Sequence, residues 1–158
     1  STGKAKTPER GPRRAAADPV PGARAGELME ICYTPIGVMH CELKKPADAP
    51  RFYTISDVRG TIEIFPPYLE GLDCISEYER IVVLFHFHLS QGYTLTQKGA
   101  SGRVKGVFSL CSPMRPNPIG LSILKLERVE LPFLHVGAID LLDGTPILDI
   151  KPYKPLEG

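Results

Sequence analysis

The nine residues Ser112–Gly120, SPMRPNPIG, join an arginine and an asparagine to three prolines between two apolar, β-rich runs. Pro113, Pro116 and Pro118 each fix φ near −65°, and Ser112, Arg115 and Asn117 before them are biased to extended backbone. A loop so nearly determined before anything binds loses little entropy on binding. It would present Arg115 as a charge-assisted donor and Asn117 as an amide, the groups that recognise a polar ligand. The alternative is a proline-stiffened connection carrying a solvated arginine.

Two other stretches carry residues able to do chemistry. In LFHFHLS, His86 and His88 stand two apart on an apolar run, so a strand there would turn both imidazoles to one face. A metal would need a third ligand, and His40, His135 and Asp140 are all distant in sequence. Structural histidines explain the pair better, so no metal is expected, while His88 remains suited to proton transfer near neutral pH. In AIDLLDGTPILDIKPY, Asp143-Gly144 is a turn signal. Asp140 and Asp149 each interrupt an apolar strand and must find donors or a cation, for which Lys151 is a candidate, as a counter-ion or as a substrate contact.

The elements that position these residues are strands. YTPIGVMH, GTIEIF, RIVVLFHFHLS, RVKGVFSL, GLSILKLERVEL, FLHVGAIDL and TPILDI are short, β-branched and partly alternating; only EGLDCISEYER reads as a short helical turn. The expected fold is mainly all-β, a small single-sheeted barrel over 27–158. No G-x-G-x-x-G follows a strand, which argues against a Rossmann domain. Residues 1–26 hold six Lys/Arg, two Asp/Glu, four Pro and four Gly. Such a segment cannot bury enough surface to offset its ordering entropy, so a disordered, flexible basic tail is expected. The 158 residues carry a formal net charge of +1, and the four cysteines form no C-x-x-C pair. Reduced thiols, a cytoplasmic location and no membrane span are expected.

Taken together, PIGVMH, GTIEIFPPYLEGL, FHFHLS, GVFSLCSPMRPNPIGLS and LDGTPILDIKPY resemble the TrmO (YaeB, TsaA-like) family of tRNA methyltransferases, from about Tyr33 to Tyr153. The resemblance implies a small β-barrel, usually a homodimer, that binds S-adenosylmethionine without a Rossmann fold. It implies methyl transfer to N6 of threonylcarbamoyladenosine beside the anticodon of tRNA. His88, Leu89, Cys111, Leu121 and the segment Gly137, Ala138, Ile139 and Asp140 would line the donor pocket; Arg115, Asn117 and Lys151 are candidates for the substrate, and His88 and Asp140 for catalysis. The sequence departs from the family pattern where Cys111 replaces an arginine and Arg51 lies near an expected glutamine. A non-catalytic module binding S-adenosylmethionine or a nucleoside is the alternative.

Overall fold

Alternation explains the strands. In RIVVLFH, Ile81, Val83 and Phe85 are buried while Val82 and Leu84 are half-buried and Arg80 and His86 exposed, the period of two that a half-buried strand shows. The same alternation buries Met39, Ile62, Ile64, Leu124, Leu134, Val136 and Ile147. Each such side chain contributes about 1.5–3 kcal/mol by leaving water.

The computed structural model describes residues 22–24, 26, 28–44 and 58–155. The chain divides into two units, Ser1–Cys32 and Tyr33–Gly158. The tail expected over 1–26 lies almost wholly outside the described residues, as does Arg51. The second unit holds β1 (Gly37–Cys41), β2 (Gly60–Ile64), β3 (Arg80–His86), β4 (Thr96–Lys98), β5 (Val104–Gly106), β6 (Ile119–Glu130), β7 (Phe133–Gly137) and β8 (Pro146–Pro152). Six strands close a barrel in the order β1-β2-β7-β6-β3-β8, with β8 returning to β1. Every pairing is antiparallel. Two glycines permit the close approaches. A Cβ on Gly37 would strike the Glu63 carbonyl of β2, and one on Gly120 would strike the ring of Phe85, its partner on β3.

Three details differ from the sequence expectation. The run RVKGVFSL contributes no barrel strand. Only Val104–Gly106 is extended, pairing with Thr96–Lys98 as a separate two-stranded ribbon, and Val107–Ser109 then forms a 3-10 turn. The expected helical turn divides into 3-10 segments at Pro66–Leu72 and Ile75–Glu77, interrupted where Cys74 takes a positive φ of 65°. Finally, β3 ends at His86, and a turn closed by Ser90 N–H on the Phe87 carbonyl at 3.2 Å takes His88 off the strand. His86 and His88 therefore do not share a strand face.

Candidate functional site

The site is assembled where three connections leave the barrel. β7 pairs with β6 as far as Gly137 opposite Lys125, and the chain then passes through Ala138, a non-glycine residue with φ 57°. Left-handed backbone at an alanine is uncommon and concentrates where surrounding structure enforces it. The turn carries Asp140 to β6, where Ser122 Oγ donates to Asp140 Oδ1 at 2.7 Å. Ser122 is buried and its partner half-buried. Burial pushes the Asp140 carboxyl above its ordinary range, opposed by the hydrogen bonds from Ser122 and from its own backbone amide.

Asp143 is a turn residue, as its Asp-Gly signal suggests. Its Oδ1 accepts from Cys41 N–H at 3.0 Å and its Oδ2 from Lys44 Nζ at 2.7 Å. Those bonds hold its carboxyl below the usual range. The Asp143 and Gly144 amides donate to the carbonyls of Leu43 and Met39 at 2.6 and 2.8 Å, fixing the turn against β1. His88 comes to this turn: its Nε2 lies 3.9 Å from where a Cβ on Gly144 would stand.

The proline loop is tied to the turn that carries His88. Ser90 Oγ donates to the Pro113 carbonyl at 2.7 Å, and Phe87 N–H to the Pro118 carbonyl at 2.8 Å. Gln97 of β4 donates to the Met114 carbonyl, tying the ribbon to the loop. Arg115 is half-buried rather than solvated: its Nη1 donates to the carbonyls of Leu110 and Ser112 at 2.9 and 3.2 Å. These two carbonyls flank the exposed Cys111, so a guanidinium stands beside the position where the family pattern has arginine.

The expected residues do not all converge as side chains. Leu89 and Leu121 are 53% and 61% exposed and available for apolar contact. Ile139 is fully buried, so only its backbone can face a ligand, and a Cβ on Gly137 would meet the Glu127 carboxylate. Asn117 is exposed, its carbonyl accepting from Ile119 N–H at 2.7 Å. Lys151 is opposite Val82, back along β3, and pairs with Asp149 at 2.7 Å. Ser122 was not anticipated. Its signal was available in GLSILKL, where the alternation Gly120, Ser122, Leu124 points a hydroxyl inward and so demands a partner.

Two cavities lie elsewhere. One of about 510 Å³ opens under Pro66–Leu72 beside Ile36 and Ile150; another of about 560 Å³ lies between Tyr78 and Tyr153. No group of three or more His, Cys, Asp or Glu among the described residues is arranged to hold a metal ion. No helix among them is long and apolar enough to cross a membrane.

Comparison with known proteins agrees with the barrel. A probable S-adenosyl-L-methionine-binding protein of Pyrococcus abyssi is 42% identical over 127 residues, 79% of this chain and 69% of that protein. A tRNA (adenine(37)-N6)-methyltransferase of Mus musculus is 35% identical over 142 residues, 84% of this chain but 32% of the mouse protein. The crystal structure of TrmO from Pseudomonas aeruginosa superposes with a TM-score of 0.70 at 37% identity, covering 82% of this chain. The present chain spans 58% of the length of that structure. The family described as tRNA-methyltransferase O N-terminal domain matches residues 38–156, from β1 to beyond β8, and to that family the chain belongs.

Proposed function

We propose that this protein binds S-adenosylmethionine in the cleft between the Ala138–Asp140 turn, the His88 turn and the proline loop, and methylates tRNA at N6 of threonylcarbamoyladenosine beside the anticodon. The observation that carries the reading is Asp140, a half-buried carboxylate bonded by Ser122 at the end of a left-handed turn. Such a carboxylate, oriented by Ser122, suits the hydroxyl and ammonium donors of a sulfonium nucleoside. The exposed Leu89 and Leu121 suit its flat purine, and Arg115 its carboxylate, because among the described residues that guanidinium is engaged through Nη1 alone. The relatives' names support the same ligand and the same macromolecular substrate.

S-adenosylmethionine would supply an electrophilic methyl group on sulfur. The chain's own residues then have two tasks. The stiff loop and the Asp140 turn hold donor and acceptor in line, which converts an encounter into a positioned displacement. His88 takes the proton that leaves N6 as the new N–C bond forms, since an imidazole is the side chain best matched to that transfer near neutrality.

The second reading, a binding module without catalysis, is favoured by Cys111, an uncharged residue where the pattern has arginine. The Arg115 guanidinium beside it supports the methyltransferase instead. The deciding experiment is calorimetric titration with S-adenosylmethionine without added metal, followed by nucleoside mass spectrometry of tRNA carrying threonylcarbamoyladenosine. Binding with a gain of one methyl on that nucleoside is expected. Binding without methylation selects the module, and no binding overturns both readings.

A further inference from the structure

The charges of this chain are segregated. From Arg80 to Leu126, 47 consecutive residues include no Asp or Glu, yet hold Arg80, Lys98, Arg103, Lys105, Arg115 and Lys125. Every Lys or Arg ion pair among the described residues lies outside that stretch: Lys44–Asp143, Arg59–Glu127, Arg128–Glu130 and Lys151–Asp149. Cations elsewhere on the barrel are thus partly neutralised, whereas those of the ribbon are left for something outside the described residues.

The ribbon presents them in a fixed arrangement. Lys98 stands opposite Val104 on one face of the ribbon and the half-buried Lys105 opposite Gln97 on the other, so cations line both of its sides, and the tip between Lys98 and Arg103 is closed by Gly99 N–H on the Arg103 carbonyl at 3.0 Å, with Gly102 at φ 78°. At its base, Val107 is buried but the next residue, Phe108, is 79% exposed, and Tyr93 on the approach to β4 is 55% exposed. Neither ring belongs to the hydrophobic core. Unneutralised cations beside exposed aromatic rings are what single-stranded nucleic acid requires, phosphates meeting the cations and bases stacking on the rings.

We propose that the β4–β5 ribbon is an RNA-binding surface, with Lys98, Arg103 and Lys105 on backbone phosphates and Phe108 and Tyr93 beneath unpaired bases. The inference rests on the tRNA reading above and adds the surface that would hold the substrate. The ribbon is bonded through Gln97 to the proline loop that carries Arg115 and Asn117, so nucleotides gripped there run on into the cleft. That continuity favours RNA over an anionic lipid surface, which would have no reason to adjoin the cleft.

The test is fluorescence anisotropy with a labelled anticodon stem-loop oligonucleotide over a range of salt, using the full chain. Lys98→Gln/Arg103→Gln/Lys105→Gln is expected to weaken binding at least about tenfold and to flatten the log Kd against log salt slope by about 2, the share of three single-strand phosphates. Phe108→Ala is expected to weaken it about fivefold or more without changing the slope. Both variants should keep wild-type affinity for S-adenosylmethionine, which also reports that they fold. If the wild type binds RNA and these variants bind equally well at every salt concentration, the ribbon is not the grip and the tRNA reading stands. Binding of S-adenosylmethionine but of no RNA by the wild type overturns both. Binding to phosphatidylserine vesicles but not to the oligonucleotide overturns the proposal in favour of a membrane surface.

Discussion

At the scale of single residues, the proposed site rests on a carboxylate that the fold holds at a cost. The raised pKa of Asp140 means that the native state keeps a proton which the unfolded chain releases. Its contribution to stability is therefore fully present below its ordinary value of 3.8 and is lost as pH rises through the raised folded value. Asparagine cannot ionise, so Asp140→Asn should be at least as stable as the wild type at pH 7, and this advantage should shrink as pH falls through the raised folded value and be gone below 3.8. The same change removes a charged acceptor, and S-adenosylmethionine affinity should drop by about 1.5–3 kcal/mol, roughly ten- to a hundredfold. Paired melting and calorimetry against pH check both halves; a variant that melts lower and binds normally would make Asp140 a structural residue. A second residue-scale prediction concerns thiols. Burial pushes the Cys41 thiol up, and its Sγ donates to the Leu141 carbonyl at 3.4 Å, whereas Cys111 and Cys74 are exposed. Cys41 should be the last of these three to react with a disulfide reagent at pH 8, followed by peptide mapping. The sequence disclosed Asp140 because a charge in an apolar run is conspicuous, but not Ser122, whose small hydroxyl passes unnoticed unless the face it points to is already known.

At the scale of elements, legibility followed the length of the alternation. β3, β6 and β8 are long enough to show which side is apolar, and their positions could be read directly. The ribbon could not be, since three-residue strands show no period and Val104, Val107 and Phe108 simulate a core strand. Nor could the end of β3, where the turn at Phe87–Ser90 overrides an unbroken apolar run. Two predictions belong here. Gly37→Ala places a Cβ against the Glu63 carbonyl, and backbone cannot step aside as a side chain can. It should cost about 1–3 kcal/mol in denaturant unfolding; an unchanged midpoint would mean that β1 and β2 shift apart without penalty. Arg115→Ala removes both bonds from Nη1 to the Leu110 and Ser112 carbonyls. Hydrogen bonds from a charged donor carry about 1.5–3 kcal/mol when well sheltered, and this one is only half-buried, so a loss of about 1 kcal/mol is expected together with a larger loss of turnover on modified tRNA. Arg115→Lys should restore neither fully, because an ammonium lacks the planar fork. Full activity in Arg115→Ala would reduce the arginine to a loop clamp.

At the scale of the whole molecule, the barrel is small and the substrate proposed for it is a macromolecule. The outer face of β6 exposes Ile119 and Leu121 at 44% and 61%, and Leu84 of β3 lies half-buried opposite Leu121. Apolar side chains on an outward strand face have a use if a second copy of the chain covers them, and the family resemblance implies a homodimer. Leu121 is also a candidate for the donor pocket, so a partner seated on this face would wall that pocket and lengthen the surface available to RNA. Light scattering should give twice the chain mass, and a chain starting at Glu27 should still do so, since the expected basic tail has Val20 as its single β-branched apolar residue to offer such a contact. A stable dimer buries about 1,200–2,000 Å² in all, and a charge near its centre, where it would be desolvated and unpaired, is among the costliest changes an interface can suffer. Ile119→Arg should therefore return the monomer mass at micromolar concentration while the barrel stays folded by circular dichroism. A wild type that scatters as a monomer would remove the dimer; a dimer indifferent to Ile119→Arg would move the contact off β6 and leave Leu121 to the ligand alone.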